Sequence, residues 1–187
     1  MKPQVLQLDI QGTPQAWISQ EQAASHYATG AVVWEDGAGP LATMRGGFNV
    51  ARRVQSRIDI SPIIALRGCA RVNLFDQAPA FSRRKLFVRD RHTCAYCAER
   101  FREQDLTVEH IVPESRGGAW DFRNCVSACK PCNTLKGART PEEAGMKLVY
   151  LPYVPSRFED FLLAGRNVRA DVHEWLASRL PKGSRLC

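Results

Sequence analysis

Two C-x-x-C pairs, Cys94/Cys97 and Cys129/Cys132, constrain this chain more than any other feature. Each short turn aims two thiolates at one point, and two such turns complete the tetrahedral four-sulfur shell of structural zinc. A lone C-x-x-C could equally be a redox dithiol, but two pairs so far apart are not explained by one redox centre. The spacing therefore predicts that zinc staples Cys94 to Cys132. Between the pairs runs Thr107-Val108-Glu109-His110-Ile111-Val112-Pro113, which sets a carboxylate and an imidazole inside the knot. That nesting points to metal-dependent hydrolysis.

Further on stand Asn124 and, immediately after the last zinc cysteine, Asn133. With these in place the chain resembles the HNH endonucleases. The matching text is Cys94-Ala95-Tyr96-Cys97, then Val108-Glu109-His110-Ile111-Val112-Pro113 with Ser115-Arg116-Gly117-Gly118, then Asn124, then Cys129-Lys130-Pro131-Cys132-Asn133 with Lys136-Gly137. The likeness runs from about Lys85 to Lys147, and several elements agree in order and spacing, which is far more specific than a lone His-Asn pair. The family's final His is Asn133 here, and its usual Asp before the first His is Glu109.

The resemblance implies a small ββα-metal core and a role for each residue. A phosphodiester resists attack because it is anionic, so its hydrolysis needs a base to make hydroxide and a cation to neutralise charge. His110 is the expected base, since neutral imidazole can take a proton from water near physiological pH. Glu109 and Asn133, a carboxylate and an amide oxygen, are the expected ligands of a catalytic magnesium or manganese ion. Neighbouring side chains of a strand diverge, so Glu109 and His110 would approach a phosphate from different sides. Asn124 is expected to fix the loop behind the histidine. Lys136, sharing a helix face with Asn133, is expected to meet a phosphate, with Arg116 and Arg139 as further nucleic-acid contacts.

Other conspicuous residues take plainer readings. Four thiolates already fill the zinc shell, which leaves His92 a supporting or surface role. His26 and His173 fall in predicted helices without an acidic or cysteine cluster nearby and read as packing or surface residues. Cys125, Cys69 and Cys187 are left over; Cys125 reads as a small hydrophobe packed under the site, and no nucleophilic cysteine is implied.

A net charge of +7 favours a polyanionic partner. The surplus is greatest in residues 81–150, and Arg83, Arg84, Lys85, Arg89 and Arg91 form a basic run leading into the metal knot. The start, Met1-Lys2-Pro3-Gln4-Val5, lacks the apolar core of a signal peptide, and no stretch is long enough to span a bilayer. With metal-type cysteine spacing this predicts a cytoplasmic protein that makes no use of a membrane.

Punctuation in the sequence predicts an α+β chain in three parts: residues 1–80, an α+β region expected to direct substrate choice; 81–150, the core with the zinc site; and 151–187, a helical region. In the first, residues 4–10 alternate like a strand, Ser19 with Gln22 makes a capping box for a helix to about Thr29, and 31–35, 41–45 and 58–66 read as strands. A linker near Gln77-Ala78-Pro79-Ala80 leads to a helix at 82–91, strands near 105–112 and a helix near 131–136. Thr140, Pro141 and Glu143 predict a further helix start, and helices are expected at 157–164 and 168–180. The leading expectation is cleavage of DNA. Its rivals are a catalytically silent zinc knuckle that binds nucleic acid, and the same chemistry on RNA. Oligomeric state is not encoded in any of these features.

Overall fold

The computed structural model describes residues 3–68, 78–165 and 167–186. Cys69, Cys187 and Gln77 lie outside them. The fold is α+β. It divides into two compact units, one of residues 1–77 with 165–179 and one of residues 78–164 with 180–187. Residues 151–187 are thus shared between the units rather than forming a third body.

In the N-terminal unit, β1 (Val5–Asp9) pairs antiparallel with β2 (Pro14–Ile18). Ser19 then caps α1 (Gln20–Ala28): its side chain accepts from Gln22 N–H at 3.2 Å, and the Gln22 side chain accepts from Ser19 N–H at 2.8 Å. Gly30, at φ +67°, turns the chain into β3 (Val32–Asp36). Next come β4 (Ala42–Asn49), β5 (Val54–Ile60) and β6 (Ile63–Leu66). The main sheet has the order β2-β1-β6-β3, with β6 parallel to β1 and antiparallel to β3. Strands β4 and β5 form a separate two-stranded ribbon. Val5, Ile18, Ile60, Ile64 and Leu66 close a core with Ala23 of α1.

Two features of this unit depart from the sequence expectation. The single strand expected at 58–66 breaks at Ser61-Pro62, because proline has no N–H for a ladder; β5 stays with β4 and β6 moves into the main sheet. Strand β2, which no alternation announced, fills the sheet edge.

In the second unit, Ser82 caps α2 (Arg83–Arg89), accepting from Lys85 N–H at 3.3 Å. Strands β7 (Leu106–His110) and β8 (Cys125–Cys129) form an antiparallel pair, and α3 (Lys130–Lys136) follows β8 without a loop. This is the expected ββα arrangement. Helix α4 (Arg157–Ala164) closes the unit, and Leu86, Phe87, Leu106, Phe122 and Cys125 form its main apolar cluster. The helix expected from Thr140 does not form. Its capping box is present, with Thr140 N–H donating to Glu143 at 3.0 Å and Glu143 N–H to Thr140 Oγ1 at 3.3 Å. Gly145 at φ +66° ends the structure after one turn, where Met146 N–H reaches back to the Pro141 carbonyl at 2.8 Å. The last helix, α5 (Ala170–Ala177), belongs to the N-terminal unit. No helix among the described residues is long and apolar enough to cross a membrane.

Candidate active site and metal centre

The four-cysteine knot is assembled from two local turns. Arg91 and His92, both at φ 55°, reverse the chain after α2 and deliver it to a bridge between Thr93 and Arg100. Inside that bridge Cys94 N–H donates to the Glu99 carbonyl at 2.9 Å, and Ala98, at φ 63°, closes the turn onto the Cys94 carbonyl at 3.1 Å. The second pair straddles the junction of β8 and α3, with Cys129 as the cap residue and Cys132 in the first turn. All four Sγ atoms lie within 4.8 Å of one another. A tetrahedral ion with sulfur bonds of about 2.3 Å needs sulfur separations of about 3.8 Å, so a small contraction completes the shell. Burial and the neighbouring Cys129 and Cys94 sulfurs push the Cys132 thiol well above its ordinary range. A cation at the centre reverses that penalty, and the donor set fits zinc.

Register sets the rest of the site. Leu106 faces Cys129 at the cysteine-cluster end of the strand pair, and Glu109 and His110 face Val126 and Cys125 at the far end. Glu109 turns toward α3. Its Oε1 lies 2.5 Å from Lys136 Nζ, and the side chains of Lys136 and Glu109 are 1% and 5% exposed. The same ammonium donates to the His110 carbonyl at 2.7 Å. Burial pushes the Glu109 carboxyl above its ordinary range, against the pull of the Lys136 hydrogen bond and charge. Lys136, expected to meet a phosphate, is instead an internal ion-pair partner, because helical spacing from Asn133 carries it over β7 rather than out to solvent. Asn133 donates Nδ2 to Thr107 Oγ1 at 2.8 Å, which leaves Oδ1 as its open donor to a cation.

His110 takes the opposite side of the strand. Its imidazole meets Trp120 edge to face, with ring centroids 4.4 Å apart at 81°, and Nε2 is buried without a hydrogen-bond partner. The loop between β7 and β8 is held by Asn124: Oδ1 accepts from Val112 N–H at 2.9 Å, and Nδ2 donates to the Val112 and Ala119 carbonyls at 3.0 Å each. Gly118 is obligatory there, since a Cβ would collide with the Val112 carbonyl oxygen and lie 2.8 Å from Asn124 Nδ2. Arg116 donates from Nη1 to both carboxylate oxygens of Glu143, at 2.8 Å each. Arg139 caps α3, donating to the Lys136 and Leu135 carbonyls at 3.1 and 2.6 Å. Both are exposed, and both are engaged within the chain.

Two further groups support the site without having been singled out in the sequence. Arg89 is fully buried and donates to Asp90 at 2.8 Å and to the carbonyls of Phe122, Tyr153 and Cys125 at 2.6, 2.9 and 3.0 Å. Asp90 in turn accepts from Ser127 N–H and Oγ at 2.8 and 2.9 Å, tying α2 to β8. In sequence Arg89 is one member of a basic run. The structure makes that run internal wiring: Arg83 bonds the Leu106 carbonyl at 2.8 Å, Arg84 the Leu163 carbonyl at 2.7 Å, and Lys85 pairs with Asp160 at 2.6 Å. Trp120, the other, could have been noticed as an isolated aromatic in a polar loop. Cys125 is buried as expected, and burial pushes its thiol up to about 11, which suits packing rather than nucleophilic attack.

No curated protein matches this chain. Residues 94–149 match the family model described as HNH endonuclease, a span that contains both cysteine pairs, the strand pair, α3 and the Asn124 loop. Over residues 94–149 the chain is therefore similar to the HNH endonuclease family.

Proposed function

We propose that the chain is a divalent-metal-dependent endonuclease that hydrolyses phosphodiester bonds in DNA. The observation that carries this reading is His110 Nε2, a buried ring nitrogen with no hydrogen-bond partner, its ring set edge to face against Trp120. A buried polar atom left open is rare, and a general base needs such an open acceptor. His110 takes a proton from the attacking water. The hydroxide forms the new P–O bond as the P–O3′ bond breaks in line, and the departing 3′ oxygen takes a proton from solvent water, leaving a 5′-phosphate and a 3′-hydroxyl.

Glu109 and Asn133 Oδ1 are the oxygen donors for magnesium or manganese, and so few protein ligands suit an ion that keeps several waters and binds through substrate phosphate. The bound cation supplies charge neutralisation at the scissile phosphate and the leaving oxygen. Lys136 holds Glu109 in place from behind, and Asn124 with Gly118 fixes the loop that follows His110. The four cysteines carry no step; they pin β8 and α3 so that Asn133 and Lys136 face β7. Arg116 and Arg139 are proposed to reach the nucleic-acid backbone from the rim.

The test is incubation of the purified protein with plasmid, linear duplex, single-stranded DNA and RNA, each with magnesium, manganese or a chelator. Ion-dependent cuts in DNA with 5′-phosphate ends support the reading. Cleavage confined to RNA shifts the substrate, and no cleavage of any substrate by folded, zinc-loaded protein leaves a silent zinc module.

A further inference from the structure

We infer that the β4–β5 ribbon of the N-terminal unit is a DNA-binding arm, its arginines meeting phosphates and its apolar tip meeting base edges. The inference rests on the nuclease reading above and names the surface that holds the duplex. Every residue from Arg45 to Arg57 is exposed, and among the described residues the ribbon pairs with no other strand. Its base is supported, with Ile60 in the core and Met44 and Ile58 packed against that cluster, whereas the exposed residues 45–57 lie beyond this support.

Charge selects the partner. Residues 42–60 hold Arg45, Arg52, Arg53 and Arg57 against a single Asp59. The rest of residues 1–80 holds three basic residues against five acidic ones, so the ribbon is the basic pole of an otherwise acidic region. Arg45 and Arg57 stand directly opposite in the pairing register. Arg57 already pairs with Asp59 at 3.0 Å, so Arg45, Arg52 and Arg53 carry the ribbon's surplus positive charge toward a phosphate.

The tip adds apolar surface where a solvated loop would be polar. Phe48, Val50 and Val54 are 59%, 80% and 60% exposed. The register shifts between Arg45 and Phe48, where Gly46 lies so close to Ser56 that a Cβ would collide with its Oγ. Such a bulge bends and twists the ribbon, re-aiming the segment beyond it. A two-stranded ribbon is of a width that the major groove admits, and apolar side chains there meet thymine methyl groups.

Anisotropy titration of the full chain on a fluorescent duplex, without added magnesium or manganese and over a salt series, separates the two contributions. Arg52→Ala/Arg53→Ala should lower the magnitude of the log–log salt slope by about 1.8, at ~0.9 per lost phosphate contact. Over a fourfold rise in salt the variant should then lose about twelvefold less affinity than the wild type. Arg52→Lys/Arg53→Lys should restore the slope. Phe48→Ala should weaken binding with the slope unchanged. Wild-type slope and affinity in the arginine-to-alanine variant, or an unchanged affinity in Phe48→Ala, overturns the arm while leaving the nuclease reading intact. Failure of the wild type to bind any duplex overturns both.

Discussion

Replacing Lys136 by methionine should cost the unit of residues 78–164 and 180–187 far more than a salt bridge usually costs. An exposed ion pair contributes about 0.2–1 kcal/mol, whereas breaking a buried pair by removing one member costs about 3–5 kcal/mol. The Lys136 and Glu109 side chains are 1% and 5% exposed, which places them in the second regime. Methionine keeps the aliphatic stem but leaves the Glu109 carboxylate buried without its ammonium and removes the donor to the His110 carbonyl. Native-state hydrogen exchange at the amides of β8, a strand buried along its whole length, reads the loss in this unit alone. At ~1.4 kcal/mol per factor of ten, exchange should quicken by about two to four powers of ten. The double variant Glu109→Leu/Lys136→Met should recover most of this, since a well-packed apolar pair avoids the desolvation of two charges. An acceleration below about tenfold in Lys136→Met would put the pair in the exposed regime and refute the reasoning.

Further outcomes follow from the same geometry. Gly118→Ala should loosen the loop between β7 and β8 and abolish most cleavage while the zinc content stays at wild type, measured by nuclease assay and metal analysis on one preparation. Cys94→Ser should lower both zinc content and thermal stability, because binding free energy at a structural site is folding free energy; retained zinc with an unchanged melting temperature contradicts it. Asp171 gives a pH-dependent effect. Burial opposes its ionisation, but hydrogen bonds from Ala38 N–H and Arg169 hold its carboxyl below the ordinary range. A depressed carboxyl contributes stability above its unfolded value of about 3.9, and that contribution is lost as pH falls through the folded value. Asp171→Asn should therefore be less stable than wild type at neutral pH, with the difference closing below about pH 4 in thermal denaturation.

What could be read from the sequence is what depends on short spacing. Each C-x-x-C turn and the Ser19–Gln22 box involve residues within a turn of one another, and each is present in the fold, whereas the ββα order over residues 106–136 came from the family resemblance. The break at Ser61-Pro62 was not legible, because which sheet each half joins depends on β1, far upstream. The Thr140 box misled in the opposite sense: it is a valid local start, but Gly145 stops the turn before a helix can propagate. The buried charges were the least legible. Arg89 and Lys136 look like solvated cations until the carbonyls of Phe122, Cys125 and His110 are brought to them from other elements. Diverging side chains at Glu109 and His110 follow from strand geometry alone, and the structure sends one to Lys136 and the other to Trp120.

The separation of base from scaffold is tested most directly by His110→Ala. Removing the imidazole takes away the unpartnered Nε2 without touching the four sulfurs, the Asn124 bonds or the Glu109–Lys136 pair. Cleavage of duplex DNA under saturating magnesium or manganese should fall by at least about a hundredfold, within the ~10²–10⁴ that general-base catalysis contributes. Zinc content, hydrogen-exchange protection and duplex affinity should remain at wild type. Cleavage at the wild-type rate by this variant would contradict the assignment of His110 as the base and, with it, the proposed mechanism.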